Sequence, residues 1–174
     1  MSDTPRFRDV VVLFKGDAYF CEISDSLAEE GWPGGQGVKW YDDPKDGFFV
    51  TRSDGYYAGF LLNGSNESGD MFTGVTENQP YYKFATLCAG GWLIMTTSFE
   101  QYTWNSRHGI GPPNVPIVYQ ESDRLVFSNR GLWTTEDEWS LSGDPRAPNS
   151  YFIGFVIQVP SVDNNYYMTI QTSI

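Results

Sequence analysis

Runs of β-branched and aromatic residues, each broken after a few positions by a cluster of Gly, Pro, Asn or Asp, restrict this 174-residue chain more than any other feature. A strand needs only about 4–8 such residues, whereas a buried helix needs about 10 or more without a breaker. With 18 Gly and 10 Pro, long uninterrupted helices have little room. Asp9 to Phe14 and Ala18 to Ile23 are predicted strands, and Lys15-Gly16-Asp17 reads as the hairpin turn that pairs them. Gly47 to Arg52 and Tyr56 to Leu62 flank Asp54-Gly55, whose positive φ angles suit a tight primed turn, so they form a second predicted hairpin. Tyr81 to Ala89 and Trp92 to Phe99 form a third, around Gly90-Gly91. Later predicted strands are Pro116 to Tyr119, Leu125 to Ser128, Tyr151 to Val159 and Tyr166 to Thr172.

Helix is confined to two places. Ser24 to Glu30 carries an N-cap serine and ends at Gly31, enough for about two turns. Thr135-Glu136-Asp137-Glu138 has the spacing of a capping box. The predicted class is therefore all-β: an antiparallel β-sandwich or barrel, jelly-roll-like, with long irregular loops and one or two short helical turns. Residues 9–174 read as a single β domain preceded by a flexible N-terminal arm, residues 1–8. The loops Asn63 to Asp70, Arg107 to Asn114 and Ser142 to Asn149 are long for such a fold and read as contact surfaces.

Charge excludes one group of partners. Asp and Glu number 22 against 11 Lys and Arg, a net charge of -11, and the basic residues are scattered. Nucleic acid and anionic lipid need clustered cations, so neither is an expected ligand. Arg6 and Arg8 come closest to a basic patch. The 40% hydrophobic and 17% aromatic content suffices for a folded core. No run approaches the roughly 20 apolar residues of a membrane span, and Met1-Ser2-Asp3-Thr4-Pro5 lacks a signal-peptide core, so the expectation is an unexported chain without a membrane partner. Cys21 and Cys88 lack C-x-x-C spacing and a nearby histidine, which favours buried free thiols over zinc ligation or a disulfide.

Residues that could carry chemistry are few. His108, the single histidine, lies in a Gly- and Pro-rich loop with no nucleophile elbow, and reads as a surface residue. A glycosidase needs two carboxylates across a cleft, and the candidates are Glu100, beside Phe99 and Tyr102, and Glu136, Asp137 and Glu138 ahead of Trp139. No spacing singles out an acid with a raised pKa beside one that stays ionised, so the expectation is a non-enzymatic protein with no catalytic residue and no cofactor. Asp42-Asp43-Pro44-Lys45-Asp46-Gly47 looks acidic and Gly-ended, but it lacks the third- and twelfth-position ligands of a calcium loop and reads as a turn; no metal site is expected. Asn63-Gly64-Ser65 and Asn66-Glu67-Ser68 fit the glycosylation pattern and, without an export signal, read as turn residues.

Aromatic residues need a larger explanation. Trp32, Trp40, Tyr41, Trp92, Tyr102, Trp104, Trp133 and Trp139 divide between a core, a subunit interface and sugar-stacking platforms. Glycan stacking falls most naturally on Trp32, Trp40 and Trp104, in loop-like surroundings. The neighbours Tyr56-Tyr57, Tyr81-Tyr82 and Tyr166-Tyr167 place one ring on each side of a strand, so both sheet faces are expected to be covered, most simply by another subunit or a large partner.

An acidic chain with few lysines, the Ala89-Gly90-Gly91-Trp92 turn, the stretch Asn129-Arg130-Gly131-Leu132-Trp133-Thr134, the loop Gly143-Asp144-Pro145-Arg146-Ala147-Pro148-Asn149 and a strand-like end at Ile174 together set a style. In that style the sequence resembles the small β-rich virion proteins of tailed bacteriophages, in particular capsid decoration (cement) proteins. The resemblance spans the whole chain and rests on no diagnostic motif. It implies a homotrimer on the capsid exterior, assembled in the host cytoplasm, that clamps major capsid protein subunits near local threefold positions. On that reading Arg6, Phe7 and Arg8 of the arm, with Trp104, Arg107 and Arg146 of the loops, contact the coat. A glycan-binding β-sandwich, lectin-like or part of a phage tail receptor-binding component, is the alternative. A head-completion or tail structural protein is the third reading.

Overall fold

The computed structural model describes residues 9–43, 47–54, 57–65, 84–143 and 153–173. Within them the chain is all-β, with eleven strands, three short α-helices and one 3-10 turn, Val162–Asn164. Six strands form an open sheet in the order β1 (Val10–Phe14), β7 (Leu93–Thr96), β11 (Met168–Thr172), β10 (Gly154–Gln158), β8 (Arg124–Phe127) and β9 (Trp133–Thr135). The other five close a barrel in the order β2 (Ala18–Ile23), β4 (Gly47–Arg52), β3 (Gly37–Asp43), β5 (Gly59–Leu61) and β6 (Phe84–Cys88). All ladders are antiparallel except β2 against β4.

The three predicted hairpins do not form, although their strands exist. β1 pairs with β7, and β2 pairs with β6, in one continuous register from Val10↔Thr96 through Ala18↔Cys88 to Glu22↔Phe84, shifted once at Phe14. Lys15-Gly16-Asp17 and Gly90-Gly91 are thus not chain reversals. They are facing corners at which a single two-stranded ribbon bends out of the sheet and into the barrel, as strands do when they switch sheets. Backbone bonds Asp17 N–H→Gly90 O (2.9 Å) and Ala89 N–H→Asp17 O (3.0 Å) carry the ladder through the bend. A Cβ on Gly16 would stand 2.0 Å from Gly90 O, so the two corners touch backbone to backbone. The second predicted hairpin fails because β3, which the periodicity did not mark as a strand, lies between β4 and β5. β3 and β4 pair from Val38↔Arg52 to Asp43↔Gly47, so the acidic segment at 42–47 does separate two strands; residues 44–46 lie outside the described residues. Gly55, of the Asp54-Gly55 pair expected to turn that hairpin, and Tyr56, expected to start its second strand, also lie outside them.

Helix caps follow the sequence closely. Helix α1 (Asp25–Glu30) starts where Ser24 Oγ accepts Leu27 N–H and ends at Gly31, φ 77°. Helix α3 (Glu136–Ser140) starts where Thr135 Oγ1 accepts Glu138 N–H. Helix α2 (Trp104–Arg107) was not expected. Pro116 to Tyr119 is not a strand: Pro116, without an N–H, makes one isolated bridge to Tyr102. Before β11, Asn165 and Tyr166 both take positive φ, so Tyr166 turns out to solvent at 62% exposure while Tyr167 is buried at 3%. The Tyr pair does split between two environments, through a turn and not through strand alternation.

Two main cores meet along one seam, and Val126 with Trp139 forms a third, smaller cluster. Inside the barrel lie Ile23, Val38, Val50, Leu61 and Leu87, with Leu27 and Ala28 of α1 and Trp32 packed against them. The sheet buries Trp92, Ile94, Leu125, Trp133, Met168 and Ile170, together with Phe60 and Cys88 from barrel strands. Phe60 tilts against Trp133 at 5.9 Å, and Trp133 against Phe127 at 4.5 Å. A Cβ on Gly37 would fall 2.3 Å from the Phe127 ring, so only glycine lets β3 lie on that aromatic. Gly37 N–H→Gly131 O (2.7 Å) and the Gln36 Nε2 bonds to Gly37 O and Arg130 O pin the seam. Cys21 and Cys88 are free and buried. Cys21 lies opposite Ala85, three positions from Cys88 along β6, so the two thiols project to opposite faces. Burial pushes Cys21 up to about 12 and raises Cys88 further.

Candidate functional site

Beyond β7 the chain runs along β9, with a parallel bridge Phe99↔Trp133 and Glu100 N–H→Trp133 O at 2.8 Å. This delivers Glu100 into the interior, where it is fully buried at 0% exposure. A buried carboxylate is tolerated only when its oxygens are paired. Ser128 Oγ donates to Oε1 at 2.7 Å, and Arg130 grips both oxygens, Nε to Oε1 at 3.0 Å and Nη2 to Oε2. Arg107 Nη1 lies 3.6 Å from Oε1. The bond to Glu100 raises the Arg130 pKa above its ordinary value. Tyr119 Oη donates to the Glu100 carbonyl at 2.6 Å, and burial, then the nearby Glu100 charge, raise the Tyr119 phenol well above its usual range.

Above this cluster sits the loop carrying α2. Thr103 Oγ1 accepts Ser106 N–H at its start, and Glu138 of α3 accepts Trp104 N–H at 2.7 Å. Glu138 therefore serves α2 and not the reciprocal half of its own capping box. Arg107 joins the loop to Glu100 from above, Nε reaching Tyr102 O at 3.3 Å. Ser106 Oγ ties down the following segment, donating to Pro112 O (3.0 Å) and accepting Val115 N–H (2.9 Å). Thr103 N–H→Val115 O and Ile117 N–H→Gln101 O close its base. A loop held at so many points nevertheless keeps apolar side chains in solvent: Tyr102, Ile110, Val115 and Val118, the last 79% exposed. Beside it, a cleft of about 450 Å³ is lined by Pro116, Val118, Asp123, Arg124 and residues 135–138.

Several expectations are corrected here. Glu100 does not face a second carboxylate across an open cleft: it is fully buried, bonded by Arg130 and Ser128 and paired with Arg107. Trp32 is no sugar platform, being 4% exposed with Nε1 donating to Asn63 O at 2.8 Å. Trp104 is half-buried, and His108 stacks on its ring at 3.6 Å, so one face is already covered. Trp40 remains 50% exposed on β3. Trp92, Trp133 and Trp139 are core. His108 is exposed, as expected, and Nδ1 lies 2.8 Å from Trp104 O. Ser65 is buried against Trp32, accepting Trp32 N–H and donating to Trp32 O, as befits a turn; residues 66–70 of the same loop lie outside the described residues. So do Arg6, Phe7, Arg8 and Arg146, leaving Trp104 and Arg107 as the predicted contact residues that share one described surface, with Arg107 over the Trp104 ring at 5.5 Å. Among the described residues no group of His, Cys, Asp or Glu is arranged to hold a metal ion.

Sequence reasoning missed Ser128, Arg130 and Tyr119 as partners of Glu100. Their spacing from it in sequence carries no periodic signal, since β8, β9 and the strand-like passage at 98–100 meet only in the folded sheet. Compared with known protein families, with curated proteins and with solved structures, the chain finds no match.

Proposed function

We propose that this chain is a non-enzymatic structural protein that decorates the outside of a viral capsid and meets the major capsid protein through the loop from Tyr102 to Val118. The observation that supports this reading is the pairing of exposure with rigidity. Tyr102, Ile110, Val115 and Val118 are exposed on a loop whose base is anchored by Ser106, Glu138 and the buried Glu100–Arg107 contact. An apolar surface that is already ordered loses little conformational freedom on docking, which favours a protein contact. Each contact of this size is weak, and avidity enters where linked copies engage neighbouring lattice sites at once.

The test is cosedimentation with expanded, empty tailed-phage capsids. Ile110→Glu combined with Val118→Glu, both at exposed positions, is expected to reduce bound protein at least tenfold while leaving the circular dichroism spectrum and melting temperature unchanged. Undiminished binding by the double variant, or no binding by the parent protein, refutes the proposal.

A further inference from the structure

The ribbon corner, remote in sequence from the Tyr102–Val118 loop, carries a second surface. β1 is an edge strand of the open sheet: β7 is its only ladder partner among the described residues. Proteins usually blunt such an edge with charge or proline, yet β1 reads Val10-Val11-Val12-Leu13-Phe14. Past Phe14 the chain stays at the surface through the corner: Leu13 is 50%, Phe14 68% and Tyr19 58% exposed, and Lys15, Asp17 and Ala18 are exposed as well. The other side of the corner is occupied, since Gly16 rests against Gly90 and Gly91.

The order of residues around Gly16 selects the occupant. Reading outward, Lys15 and Asp17 form the first pair, Phe14 and Ala18 the second, Leu13 and Tyr19 the third. A twofold axis through Gly16 places Lys15 of one copy against Asp17 of the other, twice, and places each apolar residue against an apolar one. The segment is neutral within a chain of net charge -11, so it is a place where two copies approach without adding like charges at the contact. Self-complementarity of charge and hydrophobicity about one point is the signature of an isologous interface. We propose that two copies of this chain associate antiparallel through the corner Leu13–Tyr19, with reciprocal Lys15–Asp17 ion pairs fixing the register. This goes beyond the capsid-binding reading and uses a different surface; the pair is twofold, where the resemblance implies three copies.

Light scattering behind size-exclusion chromatography, at loading concentrations from about 10 to 500 μM, tests it. The expected mass for the parent protein is twice the 19.7 kDa chain at the upper concentrations. Lys15→Asp and Asp17→Lys, each creating like-charge contacts, are expected to weaken the dimer at least tenfold, and the double exchange K15D/D17K to restore it. The restored double variant also excludes misfolding as the cause of the single losses. A monomer throughout, a trimer, or a dimer indifferent to both single exchanges overturns the proposal. The Ile110→Glu/Val118→Glu variant is expected to dimerise normally, so failure of the capsid reading and failure of this one are read separately.

Discussion

Truncating Glu100 to alanine tests whether the buried ion cluster is what holds the Tyr102–Val118 loop. The substitution leaves Arg107, whose side chain is 15% exposed, without its counter-charge, and Ser128 Oγ without its acceptor. Removing one partner of a fully buried pair costs about 3–5 kcal/mol. Arg130 is different: its side chain is 54% exposed, so it turns to water, and its share is discounted toward the ~0.2–1 kcal/mol of a surface pair. The net expectation is the lower end of the buried range, about 3 kcal/mol. For a domain of this size each kcal/mol lowers the melting temperature by about 2–4 °C, so Glu100→Ala is expected to melt roughly 6–12 °C below the parent. Glu100→Gln keeps an acceptor for Ser128 but satisfies the guanidinium groups poorly, and falls between. Arg130→Ala leaves the fully buried Glu100 carboxylate with only Ser128 and the 3.6 Å Arg107 contact and takes the guanidinium from Oε2, so it is expected to cost a comparable amount, about 3 kcal/mol. Calorimetry supplies the temperatures, and limited proteolysis reads the loop, where Glu100→Ala is expected to open cleavage at 107–114. A Glu100→Ala protein melting within about 2 °C of the parent, or an Arg130→Ala protein that loses nothing, would show that the carboxylate is not the anchor.

Three further outcomes follow from the same geometry. Gly16→Ala drives a methyl into Gly90 O and is expected to cost more than about 3 kcal/mol, whereas Gly109→Ala (φ 72°), with nothing within 4 Å, is expected to cost only the ~1–2 kcal/mol of left-handed strain; urea midpoints compare them. Cys21 stays a neutral thiol in the fold up to about pH 12 but ionises near 9.0 when unfolded, so its contribution is intact below pH 9 and is lost between pH 9 and 12, by about 1.4 kcal/mol per pH unit; urea unfolding at pH 8 and pH 10.5 is expected to show a smaller loss in Cys21→Ala than in the parent. Polysaccharide binding, if a glycan-array screen finds any, is expected to quench Trp40 and to vanish in Trp40→Ala, and a signal that survives this substitution would remove Trp40 as the platform.

What the sequence makes legible is local, and what it hides is partnership. Ser24 and Thr135 cap their helices because a hydroxyl reaches an amide three residues on, a fact contained in four consecutive residues. The all-β class follows equally from the breakers between short apolar runs. A run such as Val10–Phe14, however, says that a strand exists and nothing about which strand lies beside it. Gly90-Gly91 and Lys15-Gly16-Asp17 have the composition of reversals, yet a glycine is also what two backbones need when they cross at van der Waals contact, and here that second use prevails. β3 escapes notice because Lys39 sits within it and Asp42-Asp43 end it, although Val38 and Trp40 take alternate positions as a strand requires. Glu100 shows the same limit at the candidate site. Its neighbours Phe99 and Tyr102 made it a candidate acid, but the deciding partners, Ser128 and Arg130, arrive from the turn after β8, and only their convergence turns a carboxylate into an anchor. The consequence for function is specific. A carboxylate shut away from solvent and held by Arg130, Ser128 and the nearby Arg107 fixes the strands and loop around it, so experiments on the protein belong first at the surface it supports.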